Sequence, residues 1–184
     1  MRLETARLIL RPWEKRDREP LARIMGDERV RRFFPRPLTP EETNAQLDHH
    51  LARAEANGFS FQAAEAKADG ALVGLLGLGQ VPEETRAAIP RHPEVEIGWV
   101  FAERFWGQGL APEGAAAWLD YAWSLRLPEV VAFTAAVNLP SQRVMQKIGL
   151  TRDPADDFDH PKIAEGHPLR RHVLYRILNP VAPR

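Results

Sequence analysis

The chain passes from a strand pattern into a helix through Glu96-Ile97-Gly98-Trp99-Val100-Phe101, followed two residues later by Arg104-Phe105-Trp106-Gly107-Gln108-Gly109-Leu110-Ala111. Two glycines separated by one residue let backbone N–H groups point into a common hollow, because no Cβ atoms intrude. The first turn of the following helix adds unpaired N–H groups and the positive end of its dipole. The stretch therefore predicts a cradle for an anion such as a diphosphate, with an ordinary tight turn as the alternative.

Two other phosphate motifs do not fit this stretch. A Walker-type loop ends in Gly-Lys-Ser/Thr, whereas Gly109 is followed by Leu110 and Ala111. The dinucleotide fingerprint requires Gly or Ala three residues after its second glycine, and this chain has Pro112 there. We therefore expect neither a nucleoside triphosphatase nor a nicotinamide enzyme.

The order of strand and helix patterns predicts one mixed sheet. Strand patterns cover residues 8–11, 59–67, 71–79, 94–101, 129–137 and 172–178, and helix patterns cover 17–25, 40–57, 110–122 and 139–148. The segments 82–93 and 153–169 are predicted loops, and Thr39-Pro40-Glu41-Glu42 spells a capping box for the second helix. These elements indicate an α/β (α+β) fold with a mostly antiparallel sheet of about seven strands and helices on both faces.

Three motifs together resemble those of the Gcn5-related N-acetyltransferase (GNAT) superfamily. The first is Arg104-Phe105-Trp106-Gly107-Gln108-Gly109, which matches its acyl-CoA signature Arg/Gln-x-x-Gly-x-Gly/Ala. The second is Asn138-Leu139-Pro140-Ser141, similar to the helix entry of the branch that acetylates ribosomal-protein N-termini (RimJ/RimL-like). The opening Leu3-Glu4-Thr5-Ala6-Arg7-Leu8-Ile9-Leu10-Arg11-Pro12 is typical of the same branch. The resemblance extends to about Ile177 and implies an N-acetyltransferase that uses acetyl-CoA.

The bulk properties narrow the class of protein. A chain of 184 residues suits one domain, which we expect to span residues 1–184. Cysteine is absent, so disulfides, thiolate metal sites and a catalytic thiol are excluded. The 25 basic residues balance the 25 acidic residues, so no overall positive field favours nucleic acid or anionic lipid as a partner.

The N-terminal segment lacks the pattern of a secretion signal. It carries charges at Arg2, Glu4 and Arg7 and has no apolar core of 7–15 residues. The apolar runs elsewhere are far shorter than the ~20 residues that a membrane span requires. We therefore expect a cytoplasmic protein with no membrane association, and the sequence leaves open whether it is a monomer or a homodimer.

The resemblance assigns coenzyme-binding roles around the glycine pair. Coenzyme A is anionic at its diphosphate end, so backbone donors there are natural ligands. The resemblance also implies that a backbone N–H of the preceding strand, at Val100, polarises the thioester carbonyl. The donors of the cradle would be Gly107, Gln108, Gly109 and Leu110, with charge from Arg104, for which a solvated surface arginine is the alternative.

Glu96 is the candidate general base. An acceptor amine has an ordinary pKa of about 7.7–8.0 at a protein N-terminus and about 10.4 at lysine, so removal of its proton assists transfer. On an alternating strand, Glu96 shares one face with Glu94 and Gly98, and the resembled branch often has Glu at this place. The alternative is a structural carboxylate that anchors a loop or pairs with an arginine.

The second motif offers Asn138 and Ser141. The resemblance implies that Asn138 bonds the pantetheine arm of the coenzyme or a bound water. Ser141 is expected to bind the coenzyme there and is the best candidate to protonate the departing thiolate. Many members of the superfamily use tyrosine for that proton, and this helix has none. Helix capping by Asn138 and an ordinary first-turn position for Ser141 are the alternatives.

His160, His167 and His172 do not have the spacing of a metal site on one helix face, so we expect no metal. The five tryptophans are interpreted as core or pocket walls.

The sequence is compatible with two functions for this protein. The first is transfer of acetyl from acetyl-CoA to a primary amine in a ternary complex, with a protein N-terminus favoured over lysine, an amino sugar or a polyamine. The second is a sensor that binds acyl-CoA without turnover.

Overall fold

A computed structural model of the chain describes residues 1–180, so residues 181–184 of the predicted domain lie outside the described part. Nine strands form one sheet within residues 1–180. They are β1 (Leu3–Glu4), β2 (Leu8–Arg11), β3 (Phe61–Ala66), β4 (Leu72–Gln80), β5 (Val95–Phe101), β6 (Glu129–Ala135), β7 (Thr151–Arg152), β8 (Phe158–Asp159) and β9 (Arg171–Leu178). The helices are α1 (Arg18–Met25), α2 (Pro40–Asn57), α3 (Glu83–Ala88), α4 (Leu110–Ser124) and α5 (Leu139–Lys147).

The sheet has the order β1-β2-β3-β4-β5-β6-β9-β7, and β8 pairs with β9. Every pairing is antiparallel except that of β5 with β6. The predicted mixed, mostly antiparallel sheet is therefore confirmed. Within the described residues it has nine strands and not the expected seven or so, because three two-residue strands, β1, β7 and β8, pair with six longer ones.

Helices cover both faces of the sheet, as predicted. On one face, α1 and α2 pack their apolar residues against β3, β4 and β5. On the other face, α4 and α5 pack against β2, β4, β5 and β6. Gly114 lets α4 approach closely, because a Cβ atom there would overlap the side chain of Leu76.

The start of α2 shows how local sequence sets an element boundary. The Thr39 side chain accepts a hydrogen bond from Glu42 N (3.2 Å), and the Glu42 carboxylate accepts one from Thr39 N (2.9 Å). This is the predicted capping box, and it satisfies two N–H groups that the helix itself leaves unpaired.

The segment 82–93, predicted as a loop, contains the short helix α3. Pro82 precedes its first turn, where a missing N–H costs nothing, and Glu83 and Glu84 favour the positive end of the helix dipole. The prediction was wrong because the prolines at both ends were interpreted as loop signals.

No helix within residues 1–180 is both long enough and apolar enough to cross a membrane.

Candidate active site

The site begins where the two parallel strands separate. Strands β5 and β6 share a single paired position, Glu96 with Val131, and diverge beyond it toward Phe101 and Ala135. A cleft of about 800 Å³ occupies this opening. The sheet itself therefore supplies the gap into which a ligand can insert.

Alternation along β5 divides the cleft into two halves. Trp99 and Phe101 face the helices α4 and α5, and we call that side the α4 half. Val100 packs on the opposite side with α1 and α2, and Glu96 and Gly98 share its face, which we call the α2 half. Any ligand that fills the opening contacts both halves.

The predicted cradle is present at the mouth of the α4 half. Gly107 and Gly109 have φ angles of 73° and 76°, a left-handed conformation that side-chain-bearing residues rarely adopt. A Cβ atom at Gly107 would meet nothing within 4 Å, so the space beside it is open. No side chain caps the start of α4 at Gly109, and its first N–H groups are available. These residues fit a diphosphate.

The cation beside the cradle is Arg7, which the sequence reasoning missed. Its Nη1 donates to the Gln108 carbonyl (2.8 Å), and its guanidinium pairs with Glu113 (2.6 Å) in the first turn of α4. The expected cation, Arg104, instead lies over the Phe105 ring (4.7 Å) and lines a separate groove beside α1. No local motif indicates Arg7, because it reaches the cradle from a position about one hundred residues earlier.

Gln108 and Leu110 have different surroundings. The Gln108 side chain turns back to donate to the Arg104 carbonyl (2.7 Å). Leu110 is buried and lines the cleft. Arg143 and Lys147, one turn apart on α5, add positive charge to the same half.

The register of β5 changes the assignment of the strand amide. The backbone groups of Glu94 and Ala102, the residues next to the two ends of β5, form hydrogen bonds on the β4 side. Between these two residues, the pairing of β5 with β4 has no register shift. Because amide direction alternates, Val100 also bonds to β4, whereas Trp99 and Phe101 turn their N–H groups toward the opening. The expectation for the Val100 amide does not fit this register, in which the N–H groups of Trp99 and Phe101 are the ones that face the opening.

The second motif lies across the opening, at the start of α5. The Asn138 side chain accepts from Ser141 N (3.3 Å) and donates to the Thr134 hydroxyl (2.8 Å), so it caps the helix and joins it to β6. Ser141 is half-buried and lines the cleft, and its hydroxyl has no hydrogen bond within residues 1–180. The predicted pair is therefore brought to the cleft wall opposite β5.

Glu96 lies at the base of the opening. It is half-buried and lines the cleft, and the desolvation of its carboxyl group raises the pKa of that group to about 8. No arginine, lysine or histidine forms an ion pair with it within residues 1–180. The ion-pair alternative is thus not seen, and a carboxyl group with a pKa of about 8 suits proton exchange with an amine.

Two histidines line the α2 half. The rings of His160 and His172 lie 4.8 Å apart, and burial lowers the pKa of His160 to about 4 and that of His172 below its usual value. His167 does not line the cleft; its Nδ1 accepts from Leu169 N (3.1 Å). No group of three histidine or carboxylate side chains within residues 1–180 is arranged to hold a metal ion.

Three further polar residues of the α2 half were not found from the sequence. Arg31 reaches the cleft from the segment between α1 and α2, and Gln46 and His50 reach it from one face of α2. Gln46 Oε1 and His50 Nε2 are buried without a hydrogen-bond partner. Helical spacing could have placed Gln46 and His50 together, but nothing in the sequence indicates which way α2 faces.

Comparison with known proteins gives consistent matches. A family model described as the acetyltransferase (GNAT) domain matches residues 7–151. The FsC-acetyl coenzyme A-N(2)-transacetylase of Aspergillus fumigatus is 34% identical over 152 residues, which are 81% of this chain. The match spans 64% of that relative's length.

Solved structures agree with the fold. The GNAT-family acetyltransferase from Bacillus anthracis matches with a TM-score of 0.78 and 26% identity, covering 97% of this chain and 99% of that chain. The ribosomal-protein-S5-alanine acetyltransferase from Vibrio fischeri matches with a TM-score of 0.77 over 100% of both chains, but at 15% identity this likeness shows the fold alone.

Proposed function

The chain belongs to the GNAT family of acetyltransferases, which use acetyl-CoA as donor, and we propose that it transfers the acetyl group directly to a primary amine held at Glu96. The observation that carries this proposal is Glu96 itself. It is a half-buried carboxyl group that lines the cleft at the one point where the parallel strands pair, with a pKa raised to about 8. A coenzyme sensor without turnover has no use for such a group.

Coenzyme binding uses the α4 half of the cleft. The backbone of residues 107–110 holds the diphosphate, with Arg7 beside it, and Asn138 contacts the pantetheine arm across the opening. This arrangement brings the thioester to the amides of Trp99 and Phe101. The acceptor then enters from the α2 half, on the side of Glu96.

The transfer proceeds in one ternary complex. The amine nitrogen attacks the thioester carbon, and the N–H of Trp99 or Phe101 stabilises the negative charge that develops on the carbonyl oxygen. Glu96 takes the amine proton, directly or through a water molecule. The C–S bond breaks, and the thiolate takes a proton from the Ser141 hydroxyl, which regains one from solvent. No cysteine is present to form an acetyl-enzyme intermediate.

The nature of the amine is part of the proposal. The second motif favours a protein N-terminal amine, and the fold it shares with the Vibrio fischeri enzyme is compatible with that acceptor. The name of the fungal relative specifies an N(2)-transacetylase that uses acetyl-CoA. The acceptor is identified by a screen of amines with acetyl-CoA, and this screen also includes lysine, amino sugars and polyamines.

Thiol release from acetyl-CoA tests the proposal. With an acceptor found in the screen, Glu96→Gln should lower kcat/KM by roughly 10²–10⁴-fold at pH 8. The loss in the Gln variant should shrink as pH rises, because a growing fraction of the amine has already lost its proton without help from Glu96.

Glu94→Gln is the matched control. It removes an exposed carboxyl group directly before β5, on the same strand face, and should leave kcat/KM within about twofold of the wild type. A small loss in Glu96→Gln that is equal at every pH would make Glu96 structural, and release of thiol with no amine would contradict the proposed function.

A further inference from the structure

Arg31 is a buried arginine that faces the α2 half of the cleft. It follows α1 in the segment that leads to α2, and only 8% of the residue is exposed. Its neighbour Phe33 packs on Ile163 and Leu169, so this segment and the segment before β9 meet over the cleft. Arg31 thus lies beneath these two segments, on the side of the α2 half.

The contacts of Arg31 leave its positive charge without a carboxylate. Its Nε donates to the Arg36 carbonyl (3.2 Å), and its guanidinium carbon lies 3.8 Å from the centre of the Phe34 ring. Within residues 1–180, no Asp or Glu oxygen lies within 4.0 Å of it. The nearby carboxylate of Glu42 is already bound by Arg36 through both oxygens.

The other two deeply buried arginines differ from Arg31 in this respect. Arg11 is 4% exposed and binds Asp17 and Glu65, and Arg176 is 8% exposed and binds Glu129 and Asp156. Each therefore has at least two carboxylates to offset the cost of removing its charge from water. Arg31, equally buried, has none.

A buried and unpaired guanidinium destabilises the folded protein. Burial and the charge of Arg36 lower the pKa of Arg31 to about 10, so the group is still protonated at neutral pH. Its two terminal nitrogens form no hydrogen bond within residues 1–180, and Arg31 lines the cleft. Such a fork matches a carboxylate with two parallel hydrogen bonds.

The position of Arg31 indicates which substrate brings that carboxylate. The coenzyme diphosphate fits the cradle on the α4 half, whereas Arg31 and Glu96 belong to the α2 half. We infer that the acceptor carries a carboxylate as well as the amine, and that Arg31 binds this carboxylate while Glu96 receives the amine proton. This inference rests on the proposed function. Gln46 Oε1 and His50 Nε2 offer further hydrogen bonds to the same molecule.

A molecule of this chemistry has two sources. It is either an amino acid or a related small molecule, or the N-terminus of a peptide with an acidic residue next to its amine. In both cases Arg31 orients the acceptor, because it attracts the carboxylate end and leaves the amine for Glu96.

The test compares matched acceptors by thiol release at saturating acetyl-CoA. One pair is L-leucine and L-leucinamide, and the other is the tripeptide amides Ala-Glu-Ala and Ala-Gln-Ala. In at least one of these pairs, the wild type should have a higher kcat/KM for the acceptor with the extra carboxylate. Arg31→Met should reduce this preference by about 10- to 100-fold, which corresponds to the loss of one charge-assisted hydrogen bond. Differences in amine basicity between the two acceptors of a pair do not affect this comparison, because the wild type and the variant are tested with the same pair.

Two further variants and one binding measurement complete the design. Arg31→Lys keeps the charge without the fork and should retain part of the preference, which also decides the matter if Arg31→Met does not fold. Arg29→Met removes an exposed charge of the same segment, outside the cleft, and should keep the full preference. The Kd for acetyl-CoA should be unchanged in Arg31→Met.

The outcomes separate the inference from the proposed function. Acetylation of amines with no carboxylate preference, or with a preference that Arg31→Met retains, overturns the inference and leaves the function standing. Weaker acetyl-CoA binding in Arg31→Met with an unchanged preference would assign Arg31 to the coenzyme and also overturn it. If acetyl-CoA binds and no amine is acetylated, the proposed function fails, and the inference fails with it.

Discussion

The carboxyl group of Glu96 should affect stability and activity in opposite directions. Its environment raises its pKa to about 8 because little water reaches it. The same lack of water makes the charged form unfavourable in the folded protein, while the unfolded chain solvates it fully. A residue that serves proton transfer therefore destabilises the fold at the pH where it works.

The sign of this effect gives a prediction for Glu96→Gln. In the unfolded chain the carboxyl group loses its proton near pH 4.5, and in the folded protein near pH 8. Between these values the folded state binds one proton more, so the free energy of unfolding falls as pH rises. Glutamine does not titrate. Melting curves should show Glu96→Gln gaining thermal stability over the wild type from pH 5 to pH 8, with no further gain above pH 8.

The exposed Glu94→Gln variant is the reference for these curves, and its melting temperature should stay within about 2 °C of the wild type. A Glu96→Gln variant that melts below the wild type at pH 8 would contradict the assigned environment of Glu96.

Single residues were predictable where their role depends on neighbours in sequence. Gly107 and Gly109 lie in the expected turn between strand and helix, where both have a left-handed backbone, and Glu96 lies on the expected strand. Val100 was not assigned correctly, because amide direction depends on the register with β4. Arg7 was missed because its partner Gln108 is distant in the sequence, and Arg31 was missed because only the folded chain brings it to the cleft.

At the scale of elements, the start of α5 combines a helix cap with two candidate site residues. Asn138→Ala removes the cap and the hydrogen bond to Thr134, so it should cost about 1 kcal/mol of stability and weaken acetyl-CoA binding as well. Ser141→Ala leaves the cap intact and should change stability by less than about 0.5 kcal/mol while lowering turnover. Melting curves and thiol release for both variants check this.

The paired measurement distinguishes chemistry from capping. Full turnover in Ser141→Ala would remove the serine from the mechanism and leave water as the proton source. Neither tyrosine offers a replacement, since the Tyr121 hydroxyl donates to the Gly58 carbonyl and the Tyr175 hydroxyl donates to Gln142, both away from the cleft.

Elements with their own local signals were predicted closely. The capping box set the start of α2, and the expected strand over 8–11 matches β2. The two-residue strands β1, β7 and β8 have no pattern long enough to detect and exist because of the strands beside them. Sequence patterns thus predict the framework of the sheet, and tertiary pairing adds its edges.

For the whole molecule, acetyl-CoA should stabilise the fold by linking the two sides of the opening between β5 and β6. It would contact β5 and α4 on one side of the opening and α5 on the other. Because only the folded protein binds it, acetyl-CoA at about 100 times its Kd should stabilise by about 2.7 kcal/mol. For a chain of this length, that corresponds to a rise in melting temperature of about 5–10 °C. Adenosine, which lacks the diphosphate, should produce much less.

A matched pair of glycine variants shows whether this rise comes from the cradle. Gly109 and Gly166 have φ angles of 76° and 77°, and neither has a neighbour closer than 3.6 Å to an added Cβ atom. Alanine should therefore strain both positions equally and lower both melting temperatures by a similar amount without ligand. Only Gly109→Ala should also lose the rise with acetyl-CoA, because only that Cβ atom enters the hollow. Equal rises in both variants, or equal rises from acetyl-CoA and adenosine, would show that the diphosphate binds elsewhere.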